Sequence, residues 1–210
     1  MAKSDATITG AMLIAAVASV VLCFPRFAPA QQNGAGAGSA LLLPEGHAFD
    51  SDPSTSDPLA DIIVEFELTD RDGRIVSAED FRGRYVLLGF GFTHCPHICP
   101  MMARNMGRAL RNTDKDAAGI FVSVDTERDS PEVTDEYASR FGEAMMGLGG
   151  SIEQINVAAG NFKVSYAITK TQNSYTVQHT ANVYLIDPEG RLADVFPFST
   201  PAETLMEAMR

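Results

Sequence analysis

From Tyr85 to Phe92 the chain runs almost without a polar side chain, and three residues later it reaches Cys95, then Cys99. A strand apolar on both faces cannot lie on a half-solvated sheet; it needs cover above and below. A second run, Ile120 to Val124, has the same character. Around these two runs the pattern alternates. Met101 to Arg111 reads as a helix, with Pro100 near its first turn, where a missing N–H costs little. Asp129-Ser130-Pro131-Glu132 opens a helix reaching Phe141 with Ser130 as N-cap, and Ser151 caps another. Ile62, Val64, Phe66 and Leu68 alternate with Ile63, Glu65 and Glu67 as a strand, Asp70 to Gly73 turn, and Ile75-Val76 is a short second strand. Thr176 to Ile186 is strand-like, Asp187 to Gly190 turn it into Arg191 to Val195 as a hairpin, and Thr200-Pro201 starts a final helix. Strands alternating with helices and closing on a hairpin specify an α/β domain: a central mixed sheet with helices on both faces.

That domain occupies residues 59–210. Residues 1–30 have another origin. Lys3 precedes an apolar run from Ile8 to Phe24, Pro25 ends it, and Ala28-Pro29-Ala30 forms an A-x-A cleavage pattern. The run is at the lower limit of the roughly 20 residues that span a bilayer. It is therefore a cleaved signal or a membrane tether through residues 8–24, with the balance toward cleavage. Either way the rest of the chain is exported, to a bacterial periplasm, soluble or anchored at the inner membrane. Residues 31–58 are rich in Gly, Ala, Ser, Asp and Pro and form a flexible linker, in which His47 is a solvated side chain or a transient metal contact. The formal net charge of −11 argues against nucleic acid and anionic lipid surfaces as partners. It suits a cationic partner or metal traffic, or simply solubility.

Three cysteines remain to be sorted. Cys23 lies in the apolar run, and Leu22 before it does not suit lipidation. Cys95 and Cys99 stand where a buried strand passes into a helix, so both should meet unpaired N–H groups and the positive end of a helix dipole. Both effects lower a thiol pKa. In an oxidising compartment two such thiols pair or hold a metal. Thiolates favour Cu(I), zinc or an iron–sulfur cluster. A cluster generally takes four cysteines. Zinc remains open if two histidines join, and Cu(I) is satisfied by two or three ligands.

The chain resembles the Sco/SenC family of copper chaperones. The likeness is carried by Leu68 to Gly73; Phe92-Thr93-His94-Cys95-Pro96 through Cys99-Pro100; Ser123-Val124-Asp125 with Glu127-Arg128-Asp129 and Pro131-Glu132; and Val177, His179-Thr180-Ala181 with Tyr184 to Gly190. The resemblance implies a thioredoxin-like fold and copper bound by Cys95, Cys99 and the distant His179. It also implies a role in cytochrome c oxidase assembly, with an oxidase subunit as recipient and a thiol reductant as partner. Many relatives have an acidic residue where this chain has His97, and an Asp where it has Gln178. His97 then points outward or serves as an alternative ligand. His94 reads as solvated or supporting, Met101 and Met102 as core, and Asp125 as a residue that orients a ligand or caps a turn. The competing function is a thiol–disulfide oxidoreductase or redox sensor, although C-x-x-x-C is one residue longer than the C-x-x-C of thioredoxin-like enzymes.

Overall fold

The computed structural model describes residues 62–210. The leader or anchor at 1–30, the linker at 31–58 with His47, Cys23 and the first residues of the domain lie outside the described residues. Among the described residues no helix is long and apolar enough to cross a membrane.

The two apolar runs become the middle of a five-stranded sheet. β3 (Tyr85–Gly91) and β4 (Ala117–Ser123) pair in parallel, from Tyr85 opposite Ala117 to Gly91 opposite Ser123. β5 (Met145–Leu148) lies parallel on the far side of β4. β8 (Asn182–Ile186) pairs antiparallel with β3, and β9 (Leu192–Pro197) antiparallel with β8. The order is therefore β5-β4-β3-β8-β9, a mixed sheet as expected. Gly190, at a φ of +76°, makes the tight turn that the Asp187-Pro188-Glu189-Gly190 segment announces.

Both faces are covered, because alternate side chains of the central strands point to opposite sides. Val86, Leu88, Phe90, Ile120 and Val122 meet α3 (Ile152–Asn161) and the segment Val64, Phe66 and Leu68. Leu87, Phe121, Val183 and Leu185 meet α1 (Ile98–Asn112), α2 (Pro131–Ser139) and α4 (Ala202–Ala208). Ser130 and Ser151 cap α2 and α3 as expected, each accepting a backbone N–H at 3.3 Å. Gln154 returns the bond to Ser151 in a capping box.

Some elements depart from the sequence reading. The alternating segment from Ile62 does bury Val64, Phe66 and Leu68, but Ile62 is exposed, and only β1 (Glu67–Thr69) pairs regularly, with β2 (Ile75–Ser77). Ahead of β1 the segment makes only an isolated antiparallel bridge, Ile63 opposite Arg191, with Val64 N–H donating to Gly190 and the Ile62 carbonyl accepting from Leu192, while the Asn161 side chain donates to the Glu65 carbonyl. α1 begins at Ile98, so Cys99 and Pro100 are inside its first turn. The strand-like stretch around His179 is two strands with separate partners. β7 (Ser174–His179) pairs with β6 (Tyr166–Thr171) in its own hairpin, whereas β8 joins the main sheet.

Candidate metal centre

The parallel strands β3 and β4 end at the same edge of the sheet, and their loops bring the chemistry together there. After β3, Phe92 and Thr93 lead to Cys95, and His97 occupies the N-cap position of α1 without using its side chain as a cap. Cys99, in the first turn, is fully buried against the sheet. It lies so close because Gly91 has no side chain: a Cβ there would stand 2.8 Å from Cys99 Sγ and 2.7 Å from the Phe121 ring. Cys95 is half-buried, its sulfur accepting the Cys99 N–H at 3.5 Å. Both cysteines are free thiols.

His179 reaches this place from the end of β7. Its Nε2 lies 3.6 Å from Cys99 Sγ, across 80 residues of sequence. The carbonyl of Thr180 lies 3.0 Å from Nδ1 and can only accept. That assigns the proton to Nδ1 and leaves the Nε2 lone pair facing the sulfur. Burial holds the His179 pKa below its ordinary value, partly offset by the Thr180 bond. The Phe92 ring meets the imidazole edge-on, 5.8 Å between centroids.

The two thiols differ, against the expectation that both would be acidic. At Cys95, burial opposes ionisation, but the N–H groups of Cys99, His97 and Ile98 and the Cys99 thiol outweigh it, and the pKa falls. At Cys99, burial dominates and drives the pKa up, aided by the neighbouring Cys95 thiol. Among the described residues no three His, Cys, Asp or Glu side chains already converge as a finished metal site. Cys99 and His179 are in contact, and Cys95 flanks them on the solvent side.

The other candidates are placed differently. His97 is exposed. His94 is exposed, its Nδ1 3.1 Å from Thr93 Oγ1 and 3.4 Å from Asp129 Oδ1. Met102 is core as expected, whereas Met101 is 38% exposed. Asp125 is fully buried, its carboxylate accepting from Tyr175 Oη at 2.5 Å and from Arg128 Nε. Sequence reasoning missed Asp129, Tyr175 and Arg128 as parts of this cluster. Polar residues at a sheet edge and an isolated Tyr carry no periodic signal that would mark them.

A mixed sheet sandwiched by helices, with two free thiols where its central strand meets α1, defines a thioredoxin-like protein with a soft-donor site. The chain belongs to the SCO1/SenC family, whose model matches residues 54–210. It is 34% identical over 153 residues to the mitochondrial SCO2 homolog of Mus musculus, a match covering 70% of this chain and 60% of that protein. The chain thus spans about three fifths of the length of the mammalian relatives it matches. Copper-bound ScoI of Bradyrhizobium japonicum is 33% identical with a TM-score of 0.62, covering 70% of this chain and 96% of that one. BsSco, a member of the Sco family of cytochrome c oxidase assembly proteins in which a disulfide switch was identified, is 27% identical with a TM-score of 0.57 and covers 72% and 93% of the two chains.

Proposed function

We propose that this protein is a copper metallochaperone. It binds one Cu(I) through Cys95, Cys99 and His179, and delivers the ion to a cytochrome c oxidase subunit or prepares that subunit's thiols to receive it. The observation that carries the reading is the 3.6 Å contact of Cys99 Sγ with His179 Nε2. Spacing in sequence gives no reason for that contact, and it puts a free imidazole lone pair beside a dithiol. Two thiolates and an imidazole are a soft set suited to Cu(I). The copper-bound Bradyrhizobium relative and the oxidase-assembly role of BsSco support the metal and the recipient. Copper is the cargo here. Capture displaces the thiol protons, so affinity rises with pH. Cys95, the half-exposed sulfur, is the ligand a recipient thiol can reach first. Export to a bacterial periplasm, with residues 8–24 removed or kept as a tether, completes the reading.

The test is titration of the reduced protein against a Cu(I) chelator of known affinity. One ion per chain is expected, with His179→Ala weaker by about tenfold or more, roughly 1.4 kcal/mol. A variant that keeps full affinity overturns the three-ligand set.

A second reading, thiol–disulfide exchange, is favoured by the asymmetry of the thiols. A half-exposed Cys95 of lowered pKa beside a buried Cys99 is the arrangement of an attacking and a resolving thiol. Under that reading His179→Ala impairs exchange and spares copper binding.

A further inference from the structure

His179 stands on an arm that the main sheet does not hold. β6 and β7 pair only with each other, and a lone two-stranded hairpin is marginal in water. What fixes the arm is the inner face of β7, where Tyr175, Val177 and His179 alternate with exposed Ser174, Thr176 and Gln178. Val177 packs on the core. At the end away from His179, the Tyr175 hydroxyl donates a 2.5 Å bond to Oδ1 of Asp125, whose carboxylate is fully buried just beyond β4. The Arg128 guanidinium, paired to the other oxygen of Asp125, lies 3.9 Å from the Tyr175 ring centroid and 5.9 Å from that of Phe92. Phe92 in turn packs against His179. Further ties come from β6, where Tyr166 packs on the core and donates from Oη to Asn156 of α3, and from an exposed Lys170–Glu127 pair. The ion pair contributes little, as exposed ones do.

Tyr175 and His179 are four residues apart on one strand face, about 13 Å. A strand pinned at both places cannot slip by one residue without turning His179 to solvent. We propose that Tyr175 is a positioning residue for the metal site: its bond to Asp125, with Arg128 stacked on its ring, sets the register and tilt of β7 that bring His179 Nε2 to Cys99 Sγ. The proposal rests on the three-ligand reading above, and Asp125 and Arg128 act in it as the fixed receptor on the body of the domain.

The test uses the full chain as wild type, Tyr175→Phe, His179→Ala and the double variant. In the metal-free protein, hydrogen exchange of the β6–β7 amides should quicken in Tyr175→Phe while β3 and β4 stay unchanged. Cu(I) affinity should fall about tenfold, the lower end for groups that orient metal ligands. In the His179→Ala background the same change should cost nothing further. Unchanged hairpin exchange, exchange that quickens equally in β3 and β4, or a tenfold loss that persists without His179 each overturns the positioning role. Failure of the copper reading is separate: there His179→Ala itself binds as wild type does.

Discussion

The Asp129 carboxylate reaches 36 residues back along the chain to hold Thr93, accepting its backbone N–H at 2.7 Å and its hydroxyl at 2.6 Å. Ser123, the last residue of β4, donates to the same carboxylate at 2.6 Å. One buried side chain thus ties the loop that presents Cys95 to the loop after the neighbouring strand. In sequence Asp129 is one residue of the family likeness and the opening of a helix, with nothing that marks it as this clamp.

Asp129→Asn replaces an acceptor of three hydrogen bonds by an amide that satisfies fewer of them. Hydrogen bonds to charged groups contribute about 1.5–3 kcal/mol each, and a mispaired buried group costs about as much. The expected result is a urea midpoint lowered by about 1–3 kcal/mol of stability, with faster hydrogen exchange at Thr93. A variant as stable as wild type would show that the clamp contributes nothing.

Gly91→Ala should injure the site more than Gly89→Ala does, although the two glycines are neighbours on one face of β3. At Gly91 the new methyl meets Cys99 Sγ and the stiff Phe121 ring; at Gly89 its nearest atom is Cε of Met102, the far end of a flexible side chain. Overpacking a rigid site costs about 1–3 kcal/mol. Thermal unfolding and Cu(I) titration of both variants check the order, and a harsher effect at Gly89 would refute the packing argument.

Alkylation of the reduced, metal-free protein should be ordered. Cys95, half-exposed with a lowered pKa, holds more thiolate at neutral pH than an ordinary thiol. Cys99, buried with a raised pKa, holds almost none. With limiting iodoacetamide near pH 7, peptide mapping should find the adduct on Cys95, with rates rising toward alkaline pH as its thiol ionises. An adduct mainly on Cys99 would contradict the burial described.

Oxidation should close the site. Once Cys95 and Cys99 are joined, neither offers a thiolate, and the imidazole of His179 alone is a poor ligand for a soft ion. The oxidised protein should therefore lose tight Cu(I) binding and regain it, one ion per chain, on reduction. Cys95→Ser and Cys99→Ser should each abolish it in reducing buffer. Stoichiometric copper in either serine variant would point to His94, His97 or the exposed Met101 as true ligands.

The parts of the fold legible in sequence are those whose burial is regular. Tyr85 to Phe92 and Ile120 to Val124 are apolar toward both faces, the second broken only by Ser123, and Ser130 and Ser151 stand at caps with a recognisable spacing. β5 escapes notice because it is short and depends on Gly147, where a Cβ would lie 2.2 Å from the Thr134 carbonyl oxygen. That close approach to α2 is a tertiary fact. The β6–β7 hairpin escapes because half its residues face water and its polar members blur the alternation. The dithiol could be proposed from its place between strand and helix. His179 could not, since only the hairpin's attachment brings it across 80 residues; a resemblance to known proteins supplied what spacing lacked.

The dithiol and the imidazole stand on parts of the protein held with very different strength. The sulfurs stand on the loop after buried β3 and on the first turn of α1, whose inner face packs into the core, whereas the imidazole rides on a hairpin joined to the domain through a few side chains. Mild denaturant or heat should therefore dismantle the site in sequence, the nitrogen leaving first while both sulfurs stay in place. A three-donor grip would pass through a two-donor one before the domain melts, so how firmly an ion is held can change without disturbing the core.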